Sequence, residues 1–254
     1  MRSALWLVLC GANDLPAFWA YEGLKRRGLQ PLALVTEDQL GIGCRWVQRI
    51  DDQGVAAGLV TADGRTISTE ETRGTFNRLM GVPRSFPLLA KAADRDYAIQ
   101  EMTAFLMSWL AALPPPVLNA ATPRGLSGAW RRAAEWTWLA ASAGLPVASY
   151  FASTSDPANV LASEQPTAYP GAPRRTLFVV SGRAIGKAPS QILAGCRRLA
   201  WLAGTALLGM DFADTAAGPW TFCGASPWPD LRTGGDALLD ALADTLGEGQ
   251  EITP

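Results

Sequence analysis

Histidine is absent from this 254-residue chain, and that absence removes whole classes of chemistry. Ser-His-Asp and Cys-His catalysis, HExxH zinc sites and imidazole proton shuttles cannot be built from it. Lysine is nearly absent too, with Lys25, Lys91 and Lys187 the only three. Net charge is small: 22 basic against 23 acidic side chains leave −1. That is no electrostatic footprint for nucleic acid or an anionic membrane. No apolar run approaches the ~20 residues that span a bilayer. The run Ala4–Leu9 before Cys10 is shorter than the ~7–15 residues of a secretory core, and reads as a buried first strand. Cys10, Cys44, Cys196 and Cys223 form no C-x-x-C pair. They read as reduced thiols of a cytoplasmic protein, with no zinc site expected.

What is present suits a well-packed α/β protein: 48% of residues are hydrophobic and 18% charged. Ala4–Cys10 is a continuous apolar run, as in a buried parallel strand. Asn13 or Asp14 caps a helix with Pro16 in its first turn, running to about Arg27 before Gly28, and Pro31–Thr36 returns as a strand. The turn reads GANDLP, not G-x-G-x-x-G, so it is no dinucleotide signature. Alternating segments at Arg45–Ile50, Val55–Thr61 and Arg65–Ser68, separated by Gly-containing turns, predict hairpins. A strand at Gly74–Leu79 follows, then an Asp94-capped helix to Leu113 ended by three prolines, and a short strand at Val117–Asn119. A helix over Trp130–Ala143, a strand over Val147–Ala152, a hairpin over Arg175–Gly186 and a helix over Pro189–Leu207 complete the pattern. Residues 153–175 are rich in Ser, Pro, Ala and Thr and read as a loop,.

The segment Met210–Leu231, MDFADTAAGPWTFCGASPWPDL, resembles the closing motif of ATP-grasp ligases, roughly D-F-A … G-x-W-x-F-L-E-V-N-P-x-P. NRLMGVPRSF, the Asp-x-x-Tyr helix, a V-x-N strand and the helix ending AGLPV are similar to the pre-ATP-grasp domain of peptide-modifying and natural-product members. The resemblance spans most of the chain in the right order. It implies a βαβ-containing pre-ATP-grasp-like domain over residues 1–125 and a reduced α+β ATP-grasp-like domain over 126–254, with the 153–175 loop replacing much of the nucleotide-binding subdomain.

In that family the motif's Glu and Asn hold the magnesium ions bridging the nucleotide phosphates. Aligned on Pro227, this chain has Gly224 in the Glu position and Ser226 in the Asn position. Glycine has no ligand atom, and a hydroxyl is a poor substitute where Mg²⁺ needs anionic oxygens. Asp211 matches the Asp of D-F-A and stands without its partners. The resemblance therefore implies a degenerate metal site at Asp211, Gly224 and Ser226, with no metal, no cofactor and no assignable catalytic residue. Lys187, Arg183, Trp220 and Trp228 are the candidates for a ligand or interface.

Other polar residues have plainer readings. Asp96 and Glu101 suit a cap and a solvated face. Arg131 and Arg132 are adjacent and point to different faces. The ten tryptophans pack a core by default, or mark an interface where exposed, Trp130, Trp136 and Trp138 being a cluster. Three functional readings follow. The first is a degenerate ATP-grasp-like protein without ligase activity, a partner or substrate-recognition subunit in a biosynthetic or peptide-modification pathway, oligomeric or paired with an enzyme or peptide. The second is a divergent ATP-dependent carboxylate–amine ligase, its phosphates on Arg174, Arg183 or Lys187 and its metal on Asp211 and Asp214. The third is an enzyme of another class using the inherited cleft.

Overall fold

The computed structural model describes residues 5–41, 45–52, 54–61, 63–83, 90–148, 150, 174–215 and 218–247. They fall into two compact units, one reaching to Gly128 and resuming at Leu239, the other Ala129–Leu238.

In the first unit, β1 (Leu5–Cys10), β2 (Leu32–Thr36), β6 (Thr72–Asn77) and β7 (Val117–Leu118) form a parallel sheet in the order β2-β1-β6-β7. β1 pairs on both sides and is buried from Trp6 to Cys10, which is why its sequence is continuously apolar and not alternating,. Helix α1 (Leu15–Arg26) starts where Asp14 accepts a hydrogen bond from the Ala17 amide at 3.1 Å and stops before Gly28 at φ 88°,. An antiparallel sheet of β3 (Arg45–Asp51), β4 (Gly54–Val60) and β5 (Thr66–Ser68) carries Ala57, Leu59 and Ile67 into the core. There α2 (Arg95–Ala112) contributes Met102, Leu106, Trp109 and Leu110, a stripe at helical spacing,. Trp46 meets Phe105 and Trp109 edge-on, at centroid distances of 5.1 and 5.4 Å. The C-terminal helix α5 (Gly235–Gly247) begins in the second unit and ends in the first. In the first unit its Leu246 carbonyl accepts from the Trp6 indole (3.0 Å) and Asp240 pairs with Arg27 (2.7 Å).

The second unit has an antiparallel sheet ordered β11-β10-β8-β9, from β8 (Arg174–Val180), β9 (Arg183–Ile185), β10 (Leu207–Thr215) and β11 (Gly218–Ser226). Ser181 and Gly182, both at positive φ (45° and 83°), make the tight β8–β9 turn,. Helices α3 (Ala133–Ser142) and α4 (Ser190–Ala203) supply Trp136, Leu139, Cys196 and Leu199 to a core with Leu177, Val179, Leu208, Met210, Phe212 and Phe222. The motif strands are thus packed from one side by helices.

Several boundaries differ from the sequence reading. α3 begins at Ala133 rather than Trp130, because Arg132 is extended (ψ 162°) and its amide donates to the Glu135 carboxylate. α4 ends at Ala203 rather than Leu207, because Gly204 turns left-handed (φ 60°) and Leu207 already opens β10,. Asp94 stands at the α2 cap position, but its side chain makes no capping bond. β6 ends at Asn77, two residues before Leu79. The strand expected over Val147–Ala152 is a single parallel bridge from Val147 to Phe222, and Ser149, Phe151 and Ala152 lie outside the described residues. The loop expected over 153–175 also lies outside them, except Arg174 and Arg175, which belong to β8. Cys44 lies outside them too.

Candidate functional site

The motif occupies β10 and β11. Along β10, alternate residues reach opposite faces of the sheet. Leu208, Met210 and Phe212 enter the helix-covered core, so Gly209, Asp211 and Ala213 face the other way. Asp211 stands opposite Gly224 on β11 and opposite Thr176 on β8. The Thr176 hydroxyl donates to the Asp211 carboxylate at 2.7 Å. The residue step from Asp211–Gly224 to Phe212–Phe222 leaves Cys223 as the extra residue of a β-bulge,. Burial pushes the Cys223 thiol above its ordinary value, Arg174 opposes that shift and Asp211 adds to it. Asp211, Thr176, Arg174 and Cys223 therefore form the polar part of this face.

Ser226 pairs with Gly209, and its hydroxyl accepts from the Trp228 amide at 3.0 Å. A side chain at Gly209 would run into the Pro229 ring, so the glycine admits the Pro-rich exit against β10. At the other end of the hairpin Trp220 is held at φ 68°, a backbone region bulky residues seldom occupy,. The Arg175 guanidinium lies over its ring at 4.8 Å and Phe212 meets it edge-on at 5.9 Å, contacts that offset the conformational cost.

Apart from Arg174, the remaining candidates do not gather around Asp211. Asp214 is three positions along β10, hence on the opposite face, and pairs with Arg175 at 2.9 Å,. Arg174 opens β8 opposite Ala213, whereas Arg183 opens β9 opposite Val180, the last residue of β8. Seven residues of strand put roughly 20 Å between those two ends. Lys187 is exposed just after β9, and Asp96 and Glu101 are exposed on α2. Arg131 donates to the Ala203 carbonyl (3.1 Å) and lies over Trp136 (5.4 Å).

An ATP-grasp site implies Mg²⁺ and a nucleotide. The donor set here does not fit the metal. One carboxylate, bonded to a threonine, faces a glycine, and the Ser226 hydroxyl is engaged by a backbone amide,. Among the described residues no group of three His, Cys, Asp or Glu is placed to hold a metal.

The first unit holds a polar centre that sequence reasoning missed. Just past β1 and β6, Arg78 donates from Nε and Nη2 to the two carboxylate oxygens of Asp14, at 2.7 and 3.2 Å, with both side chains 1% exposed. Beside it, burial first and Asp14 second push the Cys10 thiol up to about 12. Asn77, fully buried, donates to the carbonyls of Asn119 (3.1 Å) and Leu126 (2.7 Å) and accepts from the Leu79 amide (3.1 Å). Asp14 was legible as a helix cap, but nothing local signals a partner 64 residues away.

No family model and no curated protein matches the sequence. Solved structures are similar along nearly their whole length. The macrocyclase MdnC bound with precursor peptide MdnA, from Microcystis aeruginosa MRC, is 12% identical with a TM-score of 0.71, over 96% of this chain and 99% of that one. A Chryseobacterium gregarium RiPP-associated ATP-grasp ligase, in complex with ADP and a leader and core peptide, is 10% identical with a TM-score of 0.69, over 98% and 97%. The ATP-grasp ligase PsnB complexed with precursor peptide PsnA2 and AMPPNP is 16% identical with a TM-score of 0.69, over 99% and 100%. Likeness at such low identity establishes architecture alone: this chain has the ATP-grasp fold.

Proposed function

We propose that this chain works in a peptide-modification pathway as a partner or substrate-recognition subunit and carries no ATP-dependent ligase activity of its own. The observation that carries this reading is the register of Asp211 against Gly224. At the place where the family sets a metal-binding glutamate, the chain has a residue without a side chain. Phosphoryl transfer depends on metal ions bridging phosphate oxygens and on cations offsetting the developing charge. Three further features support the reading. Ser226 is committed to the Trp228 amide, Arg174 and Arg183 lie at opposite ends of β8, and the sequence segment 153–175 is short for a nucleotide-gripping lid. The pathway is suggested by the neighbours, whose structures hold precursor, leader or core peptides. The peptide is the partner class this reading favours.

Calorimetric titration of the whole chain with ATP, with and without Mg²⁺, tests the first half of the proposal. No saturable Mg²⁺-dependent heat is expected, and no ADP should form with amine or peptide substrates. The Gly224→Glu/Ser226→Asn double variant is expected to stay inactive as well. Saturable binding of ATP that disappears in Asp211→Ala or Lys187→Ala would overturn the proposal in favour of a divergent ligase.

A further inference from the structure

The second unit exposes two large aromatic rings on its helical side. Trp138 on α3 is 68% exposed and Trp201 on α4 79%. Both project from the helix sides opposite the core stripes, which on α4 are Ile192, Cys196, Leu199 and Ala203. Two cross-helix bonds fix the pairing. Arg198 Nε donates to the Ala143 carbonyl (2.9 Å), and Arg131 Nη2 donates to the Ala203 carbonyl (3.1 Å). They run the helices antiparallel, with Trp138 and Trp201 both in the stretch between the two contacts. Trp130 and Leu202, the residues preceding Arg131 and Ala203 in the chain, are 39% and 38% exposed.

Charge selects among possible occupants of this face. Arg197 and Arg198 flank Trp201 at i−4 and i−3 on the α4 surface, and Arg132 is exposed at the start of α3. α4 has no acidic residue, and the one on α3, Glu135, binds the Arg132 amide at 3.1 Å. The face is therefore aromatic and basic, the pairing that dominates binding hot spots. A second copy docked here about a two-fold axis would set arginine against arginine, which opposes self-association. We infer that the outer face of α3 and α4 docks an acidic, amphipathic polypeptide segment, its apolar side chains on Trp138 and Trp201 and its carboxylates on Arg132, Arg197 and Arg198. This builds on the recognition-subunit reading, but its test measures peptide binding and not nucleotide, so the two can fail separately.

The probe is a fluorescein-labelled synthetic helix with Glu on one face and Leu and Phe on the other, titrated into the whole chain and followed by anisotropy. A control peptide carries Lys in place of Glu. Saturable binding of the acidic peptide alone is expected, weakening with added salt. Trp201→Ser should bind about 30-fold more weakly, the loss of a typical hot spot. Arg197→Glu, a surface change that leaves the core untouched, should bind about tenfold more weakly. Equal binding of both peptides, or affinity unchanged in both variants, would overturn the inference. So would sedimentation showing a dimer that Trp201→Ser dissociates, or binding of phosphatidylglycerol vesicles without binding of the acidic peptide.

Discussion

Asp14, just past the central strand β1, and Asp211, within the central strand β10, are both polar positions of a sheet, yet the structure holds them in different ways. Asp14 is sealed from water, bidentate with Arg78, and also caps α1. Asp211 is half-buried and bonds a threonine, with a glycine across the strand. The first arrangement is closed: each carboxylate oxygen is taken up by the protein, which suits a structural clamp. The second is less enclosed: its one side-chain bond is to Thr176, and the residue paired with it on β11 has no side chain. Burial and satisfied hydrogen bonds separate the two better than residue type does, since both are aspartates.

The largest effect that would test this contrast comes from breaking the clamp. Asp14→Ala leaves Arg78 charged and unpartnered in the core and also removes the α1 cap, so urea unfolding should show a loss of about 3–5 kcal/mol. A loss below about 1 kcal/mol would mean that water reaches the pair and that the centre is open. A second test uses the buried thiols. Burial pushes Cys10 and Cys196 from the ordinary 9.0 up to about 12. The folded state keeps the neutral thiols while the unfolded chain ionises near pH 9, so their contribution to stability is complete below that pH and is lost as pH rises through about 12. Thermal unfolding should show a midpoint that falls over this window, with a shallower fall in the Cys10→Ala/Cys196→Ala variant. An identical slope in wild type and variant would assign the alkaline loss to other groups. The smallest effect belongs to the motif: Asp211→Ala removes one partly exposed hydrogen bond and should cost about 1 kcal/mol or less in the same urea assay. A much larger loss would show that Asp211 holds the sheet together.

The sequence by itself determined the element types and the family frame wherever local chemistry is decisive. The continuous apolar run of β1, the glycine-bearing turns around β4, the Asp14 cap, and the D-F-A and Gly-Pro-Trp landmarks of β10 and β11 are short-range signals, and the structure follows them. Gly224 and Ser226 are legible as residue types at the positions aligned on Pro227, and the structure sets them opposite Asp211 and Gly209. Endpoints were less legible, because α4 stops where Gly204 turns left-handed and not where the apolar pattern fades. Tertiary structure alone decided which polar groups meet. It joined Asp14 to Arg78, tied Asn77 to two distant loop carbonyls, set Thr176 on Asp211 and sent Asp214 to the other face with Arg175. It also decided which tryptophans are covered, burying Trp6, Trp109 and Trp136 while leaving Trp138 and Trp201 in water. The reason is physical: capping, turns and periodicity act over a few residues, whereas pairing and burial depend on sheet order and helix packing that bring distant residues together.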